Sequence, residues 1–283
     1  MFETIHFNQK NAAGAFAQSL KETGFAVIDQ TNVDWNLIKR VQENRFEFFL
    51  SGDKAPYLFD RTTHAGFIPQ KLSETAKGCQ VKDLKEFFHF FRNTPCPDAL
   101  KGDTLALYDS LNQLAITLLN WVEQSLPESI KNNLSMPLSQ MIQNSDKTLL
   151  RLIHYPPIPE TAEENAVRAA PHEDINLMTI LPAANTEGLQ VLDSNHQWVS
   201  APTEPGKIII NSGDMLDECT GSYFVATKHR VINPKESENV SRLSFPLFLH
   251  PRDEVILSQR HSAGSYREER FKELGLHKDS DKH

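Results

Sequence analysis

Apolar positions in the first half of the chain recur at helical spacing, whereas those in the second half alternate. NAAGAFAQSLKETG predicts a helix that stops at Gly24, and FAVID follows as a short strand. NVDWNLIKRVQENRFEFFLSG predicts a second helix, capped by Asn32 or Asp34 and closed near Gly52. Residues 53–83 are rich in turn formers and read as loop, with Gly66 and Phe67 inside it. The longest helical pattern is PDALKGDTLALYDSLNQLAITLLNWVEQSL. Its Leu107, Leu111, Leu114, Leu118 and Trp121 fall on one packing stripe.

From about residue 147 short β-rich runs take over: TLLRLIHY, NLMTILP, GLQVLD, QWVSA, KIIINSGD, HRVINP and RLSFPLFLH. Pro, Gly and Asn punctuate them, and Gly213 with Asp214 predicts a tight turn. No helical pattern separates the runs, which argues against a parallel βαβ sheet and for a sandwich or barrel. YREERFKELGLHKDSDKH reads as a short charged helix fraying into a solvated tail. The expectation is one domain over 1–283, mainly β with flanking helices. Residues 1–146 form a mixed helical part, 147–258 the β core, and 259–283 a C-terminal helix and tail.

Composition changes this picture little. The 283 residues are 39% hydrophobic and 23% charged, ordinary for a globular chain. A net charge of −8 with no basic stripe argues against a nucleic-acid partner. Cys79, Cys96 and Cys219 are an odd, widely spaced set without a CxxC pair. They read as reduced thiols of a cytoplasmic protein rather than a disulfide framework or zinc ribbon. MFETIHFNQK does not read as a signal peptide. The apolar stretch LALYDSLNQLAITLLNWV is broken by Asp109, Asn112 and Gln113, so no membrane span is expected.

Candidate chemistry begins at PHEDINLMTIL. If this stretch is a strand, His172 and Asp174 lie on one face, and an imidazole nitrogen and a carboxylate oxygen reach one ion. His229 opens another strand 57 residues on. Two histidines and one carboxylate are the donor set of non-haem Fe(II) oxygenases, which keep open positions for substrate and dioxygen. His-x-Asp is common by chance, and the other nine histidines read as surface or structural residues. Arg242 and Ser244 in RLSF share a face and make a carboxylate clamp, a planar fork beside a hydroxyl. A hairpin through NPKESENVS would set them opposite His229.

These motifs together resemble the isopenicillin N synthase-like group of Fe(II), 2-oxoglutarate-dependent oxygenases. The resemblance covers most of the chain and is strongest over residues 150–257. It rests on RLIHYPPIP, GLQVLDSNHQWVSAPTEPGKIIINSGDMLDECTG, HRVINP and RLSFPLFLHP, with TGFAVID, HAGFIPQ and DLKEFF upstream. It implies a double-stranded β-helix, or jelly roll, with iron on His172, Asp174 and His229. It also implies 2-oxoglutarate with its distal carboxylate on Arg242 and Ser244, and Tyr155 against the cosubstrate. Glu173 stands where the family often has Thr, Ile153 where it often has Asn, and DQTN where it has Asn-His-Gly.

The activity implied is oxidation of a small molecule by dioxygen, with release of succinate and carbon dioxide. Phe224, Leu189 and Phe248 are candidate apolar walls of the cavity, and each is also ordinary core material. Two alternatives stay open. One is an iron oxidase independent of 2-oxoglutarate, with the substrate or ascorbate as electron source and Arg242 and Ser244 on a substrate carboxylate. The other is a non-catalytic jelly-roll binding module.

Overall fold

Alternating apolar residues in the second half build most of two opposed sheets, four strands of the first half extend the larger one, and helices from the first half cover its outside. The computed structural model describes residues 3–73, 82–163 and 165–273. The strands in chain order are β1 (Thr4–His6), β2 (Phe25–Asp29), β3 (Gly66–Ile68), β4 (Glu86–Phe90), β5 (Leu149–Tyr155) and β6 (Ala169–His172). They continue as β7 (Met178–Pro182), β8 (Leu189–Leu192), β9 (Trp198–Ser200), β10 (Ile208–Ser212), β11 (His229–Val231), β12 (Arg242–Ser244) and β13 (Leu247–Leu249). The larger sheet runs β1-β2-β10-β7-β13-β5-β4-β3, with β12 also on β5; the smaller runs β6-β11-β8-β9. The β1–β2 pair is parallel and the other named pairs are antiparallel. The architecture is a double-stranded β-helix.

The period of two sorts each strand between two cores. On β5, Leu150 and Leu152 pack toward the helices, while Ile153 and Tyr155 face the smaller sheet. Phe25, Phe87, Leu181, Leu189, Val191, Ile209 and Val231 join them in the barrel interior. Strands of the larger sheet are covered on both faces, which is why IIINS and MTILP are uninterrupted by exposed positions.

The helices are α1 (Ala12–Thr23), α2 (Trp35–Ser51), α3 (Asp98–Ser125), α4 (Glu128–Lys131), α5 (Leu138–Met141), α6 (Asp214–Thr220) and α7 (Ala263–Glu273). Of the two capping candidates for α2, Asp34 does the work, accepting from the Asn36 amide at 2.9 Å. On α3, Leu107, Leu111 and Leu118 are completely buried, and Trp121 packs on Phe7 with ring centres 4.9 Å apart. Among the described residues, no helix is long and apolar enough to cross a membrane. Cys96 and Cys219 are free and buried, and Cys79 lies outside the described residues. The expected fraying of the tail also falls outside them, beyond Glu273.

Three local expectations are corrected. Gly66 and Phe67 belong to β3, and Phe67 is buried against Phe48 and Phe49 on the helix side. Three residues are too few to display an alternation that sequence can read. Gly213 and Asp214 do not make a turn between strands: Gly213 caps α6, and Asp214 is its first residue. A helix therefore does interrupt the β-rich half, one too short to show its period.

Candidate metal and anion site

β6 ends at His172, and the chain then crosses from the smaller sheet to the larger one before β7 begins. Asp174 sits in that crossing, so His172 and Asp174 do not share a strand face as expected. The crossing is fixed by the start of α6. The amides of Asp214, Met215 and Gly213 donate to the carbonyls of Asp174 (2.7 Å), Asn176 (3.1 Å) and Leu177 (3.0 Å). These amides lie at a helix start, where they lack partners inside the helix, so they are free to hold a bend that a ladder could not.

His229 opens β11 and lies in register with His172, the ring centres 4.3 Å apart. Nδ1 of His172 meets the Ala170 carbonyl at 2.8 Å, and Nδ1 of His229 meets the Thr227 carbonyl at 3.3 Å. A carbonyl only accepts, so each Nδ1 carries a proton, which leaves each Nε2 as the ring atom available to an ion. The two Nε2 atoms lie 3.9 and 3.7 Å from Oδ1 of Asp174. One donor atom from each residue falls within 4.8 Å of the others.

The second carboxylate oxygen is already engaged. Oδ2 of Asp174 accepts from the Thr179 hydroxyl at 2.5 Å and the Asn211 amide at 2.8 Å. Burial opposes charge on Asp174, but the two imidazoles and these hydrogen bonds outweigh it and lower the carboxyl below its usual range. Burial, and then His229, push the His172 imidazole below its ordinary value, which keeps it neutral and able to donate. Two imidazoles with Nδ1 tied back and a carboxylate with its far oxygen tied back are a donor set that fits Fe(II).

Arg242 and Ser244 do not sit opposite His229. They lie on β12, in the larger sheet, opposite Tyr155 and Ile153 of β5. The turn-rich link after β11 carries the chain to the other sheet instead of closing a hairpin. Arg242 is 2% exposed, with its guanidinium carbon 5.3 Å from the Tyr155 ring centre. Its Nε donates to the Thr186 carbonyl at 3.3 Å, and its Nη1 has no partner among the described residues. Burial lowers its pKa. No described carboxylate pairs with it, so this buried cation has no countercharge among the described residues.

Of the candidate walls, Leu189 lies in the barrel interior and Phe224 does not, being buried on the helix side. Phe248 is paired with Thr179, whose hydroxyl holds Asp174, so its side chain shares the interior face. Sequence reasoning passed over Thr179, Asn211 and Arg168. Each is a polar or charged residue inside an apolar or small-residue run (LMTIL, IIINS, AVRAA), a placement that is costly unless the group has a partner.

The sequence pattern of the 2OG-Fe(II) oxygenase superfamily matches residues 141–251. A 2-oxoglutarate-dependent dioxygenase of Didymella fabae is 31% identical over 165 residues, which span 55% of this chain and 48% of that protein. The chain thus matches about half the length of that curated relative. A Shewanella oneidensis crystal structure assigned as an oxygenase is 48% identical, with TM-score 0.88 over 98% of this chain and 100% of that one. An Arabidopsis thaliana dioxygenase for auxin oxidation, solved with 2-oxoglutarate, shares the fold at 18% identity. Its TM-score is 0.71 over 93% of this chain and 100% of that one.

Proposed function

The chain belongs to the 2OG-Fe(II) oxygenase superfamily, and from that premise we propose that it oxidises a small molecule using Fe(II), 2-oxoglutarate and dioxygen. The observation that carries this reading is the convergence of His172, Asp174 and His229, with their outward-facing atoms tied to Ala170, Thr227, Thr179 and Asn211. The chemistry bound iron supplies is oxidative: decarboxylation of the keto acid to succinate is coupled to oxidation of a substrate C–H bond.

The protein's own contribution is positional. His172, Asp174 and His229 would hold the ion on one side. Arg242 and Ser244 would hold the distal carboxylate of the keto acid, with Tyr155 against its body. Leu189, Val191 and Ile209 would keep the interior dry, and Phe248 would wall the same face. The buried free thiols of Cys96 and Cys219 support a cytoplasmic setting. A net charge of −8 supports a small-molecule partner over a nucleic acid.

The test is consumption of 2-oxoglutarate by Fe(II)-loaded protein, followed as succinate and carbon dioxide, across a small-molecule library. Substrate-stimulated succinate release is expected. Iron-dependent oxygen uptake without any 2-oxoglutarate consumption or binding would instead select the iron oxidase in which Arg242 holds a substrate carboxylate.

A further inference from the structure

The buried cation beside Arg242 is not alone. Arg168, just before β6, is 1% exposed, and its Nε has no partner among the described residues. Its Nη2 donates to the carbonyl of Val240 at 2.5 Å, two residues before Arg242, and its backbone amide donates to Oδ1 of Asn233 at 3.0 Å. No described carboxylate pairs with Arg168. Two guanidiniums are therefore buried in one corner of the fold, with Tyr155 as the ionisable group beside both.

Burying one unpaired guanidinium is expensive, and placing a second within electrostatic reach adds repulsion. Burial, followed by the Arg242 charge, lowers Arg168 to about 10. An arginine used only to reach one carbonyl would gain little for that cost. A neutral donor would do the same.

We propose that Arg168 is the second arm of the carboxylate cradle, so that the acid group on Arg242 is held by two buried guanidiniums. The proposal deepens the keto-acid reading and rests on it. Arg242 approaches from β12 in the larger sheet, and Arg168 from the start of β6 in the smaller one. The anion would thus join the two sheets of the roll at that corner. Arg168 would act as a specificity residue: it favours keto acids with a second carboxylate over those without one.

The experiment is calorimetric binding of two probes, 2-oxoglutarate and 2-oxopentanoate, to Mn(II)-loaded protein. The second probe has the same length and keto-acid head but no distal carboxylate. Arg168→Gln keeps a donor for the Val240 carbonyl and removes the charge. Its affinity for 2-oxoglutarate should fall about tenfold to a hundredfold, and that for 2-oxopentanoate should stay within about twofold. Unchanged binding of 2-oxoglutarate, or equal losses for both acids, would mark Arg168 as a structural clip and overturn the proposal.

Arg168→Lys serves where the glutamine variant does not fold. It should weaken 2-oxoglutarate alone, by a smaller factor, because it loses the planar fork. Affinity equal to the parent's, or parallel losses, would count as refutation. The parent protein reports separately on the broader reading. If it binds neither acid, or binds both equally, the keto-acid assignment fails; if it discriminates and the variants discriminate equally well, only the role of Arg168 fails.

Discussion

The side-chain amide of Asn211 donates to Oδ2 of Asp174 at 2.8 Å, reaching from β10 to the crossing between β6 and β7. This bond and the Thr179 hydroxyl leave Oδ1 as the free oxygen, the one that faces both imidazoles. Asn211→Ala should therefore weaken metal binding by about tenfold to a hundredfold while leaving all three donor residues in place. Thr179→Val should do the same, and Thr179→Ser should bind nearly as the parent does. Titration with Mn(II), read by calorimetry, checks all three. Parental affinity in Asn211→Ala would mean that the carboxylate is oriented by something else.

Much of this was legible in the sequence, and the remainder was hidden for a common reason. Runs such as KIIINSGD and RLSFPLFLH show their strands because burial on two faces leaves an apolar signature. His172, Asp174 and His229 stand out by residue type, as do Arg242 and Ser244. What alternation does not encode is the partner of each strand. The same pattern fits a β11–β12 hairpin and the pairing of β12 with β5 that the structure has. Phe224 and Phe248 look alike in sequence, yet one packs under the helices and the other on the interior face. Asp174 escaped its strand because the amides of α6, some forty residues on, hold the bend.

Metal binding should be visible in stability. An ion that binds only the folded state at about one hundred times its dissociation constant adds about 2.7 kcal/mol. That raises Tm by about 5 °C or more for a chain of this size. Differential scanning fluorimetry with Mn(II) should show the rise, and a chelator should reverse it. His229→Ala should fold and show no rise. A rise retained in His229→Ala would place the ion elsewhere.

Gly213 has no room for a side chain. A Cβ there would lie 2.2 Å from the Asn176 carbonyl oxygen and 2.8 Å from that of Asp174. The close approach lets the first amides of α6 reach the crossing, so the requirement is space and not an unusual backbone angle. Gly213→Ala should push the Asp174 segment outward. It should cost about 1–3 kcal/mol, as overpacking does, and weaken metal binding as well. Denaturant unfolding and Mn(II) titration on the same sample read both effects. Loss of stability with parental metal affinity would show that the crossing tolerates the shift.

Gly188 should tie backbone strain to the anion site. Its φ is +133°, and a Cβ would lie 3.3 Å from Val231 Cγ1 and 3.8 Å from Nε of Arg242. Gly188→Ala is expected to cost about 1–3 kcal/mol from the backbone angle alone. It should also raise the KM for 2-oxoglutarate by disturbing the strand beside Arg242. Arg242→Gln, which removes the fork directly, should raise that KM about a hundredfold or more, consistent with loss of a charge-assisted pair. The prediction fails if Gly188→Ala is destabilised and its KM is unchanged.

Phe224 and Phe248 provide a paired test of which face lines the reaction chamber. Phe224 is completely buried in the core between sheet and helices. Phe224→Leu should cost about 1–2 kcal/mol of stability, being a smaller loss than full truncation, and leave kinetic constants alone once folded. Phe248 is only partly buried, is paired with Thr179, and has the Arg151 guanidinium 5.3 Å from its ring centre. Phe248→Leu should cost less stability because less surface returns to water. It should nonetheless change the fraction of 2-oxoglutarate turnovers that yield oxidised substrate, since it alters the interior face it shares with Thr179, whose hydroxyl holds Asp174. The two substitutions remove similar volume, so opposite effects on stability and coupling separate lining from packing. If Phe224→Leu proves to be the one that uncouples turnover, the interior face has been assigned to the wrong side of the larger sheet.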